Sequence, residues 1–423
     1  MALRINAFRG WRPASGTAET VASVPYDVVN RAEARALADG QPNSFLHVIR
    51  PDIDLPDETD PYADVVYETA KAAFDRFRSE GVLVQDDKPA VYLYRQECEL
   101  LGATVSQTGV VACCHTGDYE ADIIKKHEKT RQKKEDDRTR HVLTLRANAG
   151  PVFLMHTPQP TVRTLVEGHT SAEPLERFTA PDGVTHTLWK VEEYEPYIAA
   201  FATLGAAYVA DGHHRSASAA RAGKELESAN PSHTGDEEYN WFLCVLFDQG
   251  DLSILPYNRV VKDLHGLTAD ELLAKIGAIA QVTPEVDPTP RHRASFCMYL
   301  PGVSGAHASP NHWYNIQLAE GSIDFADPIA SLDYVLLTDR VLTPILGIGD
   351  VRSDERIDFV GGIRGTAELK RRVDSGEMAV AFAMRPVEAE QIVAVADAGQ
   401  IMPPKSTWFE PKLRSGLVVH TLD

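Results

Sequence analysis

Two rhythms of apolar and polar residues run along the chain, and they predict its elements. Between Tyr62 and Glu80 the apolar residues Val66, Ala70, Ala73, Phe74 and Phe77 recur at helical spacing and share one face. Ala90–Tyr94 and Thr108–Cys113 are short runs rich in β-branched and aromatic residues, so they predict strands. Ala121–Arg146 is highly charged and has neither Gly nor Pro. One helix or two fits it, anchored by Ile123, Ile124, Val142 and Leu145. Pro151–Met155 predicts a buried strand, Thr161–Thr185 is mostly polar, and His186–Val191 has strand character.

The clearest unit follows. Ala206–Ala210 is a short apolar strand, Asp211–His214 a turn, Arg215–Ala222 an Ala/Ser-rich helix, and Trp241–Phe247 another buried strand. Strand, turn, helix, strand is the order of an α/β core. From about Leu267 a further lobe is expected. It has a helix at Ala269–Ala280, strands at Ser295–Leu300 and Trp313–Leu318, and more helices after Ile329. Met402–Lys412 is too rich in Pro and charge for regular structure and too aromatic for a solvated end, so it is expected to pack onto something. The pattern predicts a mixed α/β (α+β) chain in three regions, 1–118, 119–265 and 266–423.

The turn carries the chemistry. Gly212 at a strand end allows a positive φ or a close approach to a ligand. The next helix would aim free N–H groups and the positive end of its dipole at whatever sits there, which favours phosphate. His213, His214 and Arg215 add donors, and the Arg fork suits phosphate oxygens. Asp211 would repel a bare phosphate, so it either holds a bridging Mg²⁺ or orients a hydroxyl nucleophile.

A second element is His127-Glu128-Lys129-Thr130, followed by Arg131, Lys133, Lys134, Asp136, Asp137 and Arg138. It is no zinc-protease motif, because Arg131 stands where the second His would be. By residue type alone it reads first as a solvated helix with ion pairs one turn apart. Its alternative role is a general base at Glu128 with cations for phosphate. Pro25-Tyr26-Asp27, Asn43–His47, and Lys405, Ser406, Thr407 and Lys412 near the end are weaker candidates.

Composition narrows the partners. Lys and Arg number 42 against 61 Asp and Glu, a net charge of −19. That balance argues against nucleic acid or an anionic membrane surface as the general partner, and leaves a small-molecule substrate. The first residues lack an apolar signal-peptide core. No run reaches the roughly 18 apolar residues of a membrane span. Cys98, Cys113, Cys114, Cys244 and Cys297 form no CxxC pair, which fits reduced thiols and a cytoplasmic protein. A homodimer remains open.

Six separated segments carry a resemblance. They are Pro25–Val29, Asn43–Pro51, His127–Thr130, Asp211–Arg215, Leu255–Val261 and Met402–Lys412. In that order they resemble, over nearly the whole chain, a large bacterial family known as a domain of unknown function. The middle of the chain, with Glu128, Arg138, Pro151–Phe153 and the Asp-Gly-His-His-Arg turn, is similar to the free serine kinases of the ParB/sulfiredoxin-like fold. This resemblance implies a ParB/sulfiredoxin-like core with additional N- and C-terminal α/β regions. It implies catalytic roles for Glu128, acting on the serine hydroxyl, and Asp211. By the same resemblance His213, His214 and Arg215 would hold the phosphates, and Gly212, Arg138, Lys405 and Thr407 are further phosphate-binding candidates. His127, Thr130, Asp27 and Tyr26 are substrate-binding candidates. The expected reaction is phosphorylation of free L-serine or a similar hydroxyl metabolite by ATP, ADP or pyrophosphate with Mg²⁺. A ParB-like nucleotide-binding switch and a metal-dependent phosphohydrolase using Asp211, His213 and His214 are the alternatives.

Overall fold

The structure is a computed structural model and describes residues 2–423. The apolar runs between residues 91 and 248 join one nine-stranded sheet. From one edge the strands are Ile124–Lys125, Ala207–Asp211, Val152–His156, Trp241–Asp248, Ala103–His115, Val91–Leu100, Thr185–Val191 and Glu176–Thr179, with Ile5–Asn6 paired to Ala103–His115. Val152–His156 runs parallel to Trp241–Asp248 and antiparallel to Ala207–Asp211. The central strands are apolar on both faces because both faces are covered. Val152, Leu154, Val209, Cys244 and Leu246 sit in one core, all fully or almost fully buried.

Asp64–Ser79 forms the expected helix and buries Val66, Tyr67, Ala70, Phe74 and Phe77. Each Phe so buried contributes roughly 1.5–3 kcal/mol. The charged stretch before residue 146 departs from expectation. Ile123 and Ile124 are buried, yet they belong to no helix. Ile124–Lys125 pairs in parallel with Ala207 and Tyr208, and the helix begins only at Gln132 and ends at Leu145. Two adjacent β-branched residues fit an edge strand, and their spacing alone did not tell strand from helix. Within the polar stretch from Thr161 to Thr185 lies a helix, Pro160–Thr170, opened by Pro at its first turn and capped by Gln159.

The chain forms two compact units. One comprises residues up to Leu252 together with Pro411–Asp423, the other Ser253–Glu410. This grouping differs from the three sequence regions, because strands from both sides of residue 118 share one sheet and the last residues belong to the same unit as that sheet. The second unit is built on an antiparallel six-stranded sheet, ordered Ala280–Pro284, Trp313–Leu318, Ser295–Tyr299, Val380–Ala383, Tyr257–Val261 and Ile357–Gly361. Among the described residues no helix is long and apolar enough to cross a membrane.

Candidate active site

The strand Ala207–Asp211 loses register against Val152–His156 between Val209 and Asp211. Such a bulge re-aims the side chains at a strand end. Gly212 then adopts φ 98°, and the helix His213–Ala229 starts with no side chain capping it. A Cβ on Gly212 would lie 3.0 Å from Arg215 Nε, so the glycine serves both the turn and the packing of the guanidinium.

Asp211 is the electrostatic centre of the turn. Lys412 Nζ lies 3.0 Å from its Oδ2, and Arg215 Nη2 lies 3.4 Å from its Oδ1. Burial pushes the carboxyl upward, but Lys412 and Arg215 outweigh it and hold Asp211 well below the usual carboxylate range. Arg215 also donates from Nη1 to the Pro151 carbonyl, while its buried Nε has no hydrogen-bond partner. Lys412 is delivered by the returning C-terminal segment. Gln96 Nε2 donates to the Lys412 carbonyl at 2.9 Å, Arg414 N–H donates to Tyr94 Oη at 3.3 Å, and Ser415 pairs with Ser23 through the backbone in both directions.

Glu128 lies next to this turn. Its Oε2 is 3.8 Å from His213 Nδ1. His127 packs edge-on against His213 with ring centroids 4.6 Å apart, and hydrogen-bonds to the Val209 backbone. Burial holds both rings neutral. It lowers His127 to about 4 and drives His213 well below the ordinary imidazole value, with the neighbouring His127 adding to the effect. His214 is lowered too, mainly by burial, and its Nε2 accepts the Arg131 N–H at 3.0 Å. The histidines were expected to add donor groups beside the phosphate. As neutral rings they add no charge, and the positive charge at the turn comes from Arg215 and Lys412.

The remaining sequence candidates fall in three places. Tyr26 and Arg138 meet face to cation, the guanidinium 4.4 Å from the ring centroid, and burial pushes the Tyr26 hydroxyl up to about 12. Both line a small, partly open pocket together with Arg215, Ser218, Asn148 and Ser415. Asp27 is exposed, but its charge reaches Arg215 and His214. Thr130 is tied elsewhere, its hydroxyl donating to Glu135 at 2.8 Å. Lys405 and Thr407 belong to the second unit, where Lys405 Nζ approaches Tyr257 Oη at 3.4 Å. Sequence reasoning passed over Ser218, Asn148 and Ser415. Ser218, one turn beyond Arg215 on the same helix face, was the one that spacing could have found.

A mixed α/β protein with an acid-centred, doubly cationic turn at a strand-to-helix junction is the class these features define. The chain matches the family described as "Protein of unknown function (DUF1015)" over residues 5–335 and belongs to that family. Several solved structures are similar to it. A free serine kinase variant in complex with AMP is 15% identical with a TM-score of 0.35, covering 71% of this chain and 86% of that one. A conserved hypothetical protein from Pyrococcus furiosus is 14% identical, TM-score 0.32, with coverages of 71% and 90%. SbnI with C-terminal truncation from Staphylococcus aureus is 12% identical, TM-score 0.36, with coverages of 72% and 85%. No curated protein matches the chain.

Proposed function

We propose that this protein transfers a phosphoryl group to the hydroxyl of a small metabolite, free L-serine or a close analogue, from ATP, ADP or pyrophosphate. The observation that carries the reading is the approach of Glu128 to the 211–215 turn. The two lie 211 − 128 = 83 residues apart in sequence, yet Glu128 Oε2 and His213 Nδ1 are 3.8 Å apart. A carboxylate beside a cationic turn is the pairing that transfer to an alcohol needs.

Glu128 is the general base. As the substrate oxygen attacks the terminal phosphorus, its proton passes to the Glu128 carboxylate and the bridging P–O bond breaks towards the departing phosphate chain. Arg215 and Lys412 balance the charge on the transferring group. Asp211 is ionised throughout the working pH range and acts by fixing those two cations. Phosphoryl transfer is catalysed largely by such positioning and charge neutralisation.

Mg²⁺ commonly serves this chemistry, held by one or two carboxylates and the phosphates themselves. Here both Asp211 oxygens already face cations. The chain's own donors do not fit a preformed Mg²⁺ site, and no step above runs through one. The phosphohydrolase reading has less support for the same reason, since His214 Nε2 is engaged by the Arg131 N–H.

The test is to incubate purified protein with L-serine, Mg²⁺ and each donor in turn, and to look for O-phosphoserine by mass spectrometry. Product with one donor is expected. Tight nucleotide binding in calorimetry, unaffected by serine and without product, would favour the nucleotide-switch alternative instead.

A further inference from the structure

Leu255–Val261 and the first part of Met402–Lys412, up to Phe409, play no part in the mechanism above, and both lie in the second unit. They meet at Arg259. Its side chain is almost fully buried, the residue being 4% exposed. Nη1 donates to the Tyr257 carbonyl, and Nη2 donates to the Lys405 carbonyl at 3.2 Å. The guanidinium lies 5.1 Å from the ring centre of Tyr334 and 5.4 Å from that of Phe359. Carbonyls and ring faces spread the charge of a cation but do not cancel it.

No carboxylate among the described residues pairs with Arg259, although acids outnumber bases in the chain by 61 to 42. Burial lowers Arg259 to about 10, the direction expected of a cation with no counter-charge. Beside it stands a second cation. Lys405 is exposed, and its Nζ lies 3.4 Å from Tyr257 Oη. It too forms no ion pair with an acid among the described residues. Lys405 holds φ 60°, a left-handed conformation unusual outside glycine. The turn that imposes it is locked by Ser406, whose hydroxyl donates to the Pro403 carbonyl, and Ser406 is buried. Strain of this kind persists where the surroundings fix it, and it clusters at ligand sites. Tyr257 meets Trp408 edge-on at 4.9 Å, so an aromatic pair flanks the cations.

We propose that Lys405 and Tyr257 Oη, backed by the buried Arg259 charge, form an anion site in the second unit that takes a phosphoryl dianion. Two uncompensated positive charges match a dianion better than a monocarboxylate. The ligand is either free phosphate or the phosphate end of a small ester, and the aromatic pair gives an ester's organic part a face to rest on. The site does not depend on the kinase reading, because it concerns binding and not transfer.

The experiment is calorimetric titration of the full chain with inorganic phosphate, phenyl phosphate and benzoate, with melting curves recorded in the presence and absence of phosphate. The wild type is expected to bind both phosphates and to bind benzoate at least tenfold more weakly. Lys405→Gln, an exposed change, is expected to weaken phosphate binding at least tenfold while leaving the phosphate-free melting temperature in place. Arg259→Met removes an unbalanced buried charge. It should melt no lower than the wild type without phosphate, and should lose the stabilisation that phosphate gives. Tighter binding of phenyl phosphate than of inorganic phosphate supports an ester as the ligand, and equal binding supports free phosphate. Phosphate binding that survives both substitutions places the ion elsewhere, at the Arg215 turn for example, and overturns the proposal. Absence of phosphate binding to the wild type overturns it as well. So does an Arg259→Met variant destabilised equally with and without phosphate, which would make Arg259 purely structural.

Discussion

Replacing Asp211 by Asn keeps the shape of the turn and removes the charge that holds Lys412 and Arg215. At 3.0 Å and an effective dielectric constant near 20, the gross attraction between Asp211 and Lys412 is about 5–6 kcal/mol. Desolvation of the two groups cancels part of it. Asp211 and Lys412 keep 25% and 20% of their side chains exposed, which moderates the penalty further. Breaking a fully buried pair costs about 3–5 kcal/mol, so the expected loss here is about 2–3 kcal/mol at pH 7. The carboxyl is held below its unfolded value of about 3.9, so the pairing stabilises the fold above pH ~4. That contribution is lost as pH falls through the lower native value. Denaturant titrations of wild type and Asp211→Asn between pH 7 and pH 3 measure the difference directly. A double-mutant cycle with Lys412→Met should return a coupling of about 1.5–3 kcal/mol. A difference under about 0.5 kcal/mol at pH 7 is what an exposed, solvent-screened pair would give, and it would refute the reasoning. So would a difference that does not shrink towards pH 3.

Three further outcomes follow from the same geometry. Gly212→Ala forces a Cβ to within 3.0 Å of Arg215 Nε at φ 98°, and should cost about 1–3 kcal/mol in thermal melts and abolish phosphoryl transfer. His127 stays neutral down to about pH 4, whereas in the unfolded chain it takes up a proton near pH 6.5. Acidification from 6.5 to 4 should therefore erode stability, and His127→Gln should flatten that part of the pH profile. NMR titration of the ring should show no protonation between pH 7 and pH 5. Tyr26→Ala removes the face on which Arg138 rests, and should lower the melting temperature by a few degrees and weaken binding of any ligand in the pocket beside Arg215.

Much of this arrangement was written in local patterns. The helix over Asp64–Ser79 and the strand–turn–helix around Gly212 were legible because period and turn chemistry agree there. Ile123 and Ile124 misled, because a two-residue edge strand has too few positions to show a period. The neutrality of His127 and His213 could not be read from the sequence, since it comes from the burial of two rings that only the fold brings together. Lys412 was visible as a cation near the end of the chain. Its partner, Asp211, lies 412 − 211 = 201 residues away, a distance that only the return of the C-terminal segment to the first unit closes. The second charge cluster was half visible: Lys405 stands out in a Pro-rich stretch, whereas Arg259 looks like an ordinary strand residue until its burial is known.

Comparing wild type with Glu128→Gln in a single-turnover assay for phosphorylated serine tests the central claim most directly. The wild type should form product, and the variant should form it 10²–10⁴-fold more slowly with donor affinity unchanged, as loss of a general base requires. Equal rates for the two proteins, or no phosphorylated product from the folded wild type with any of the three donors, would contradict the account.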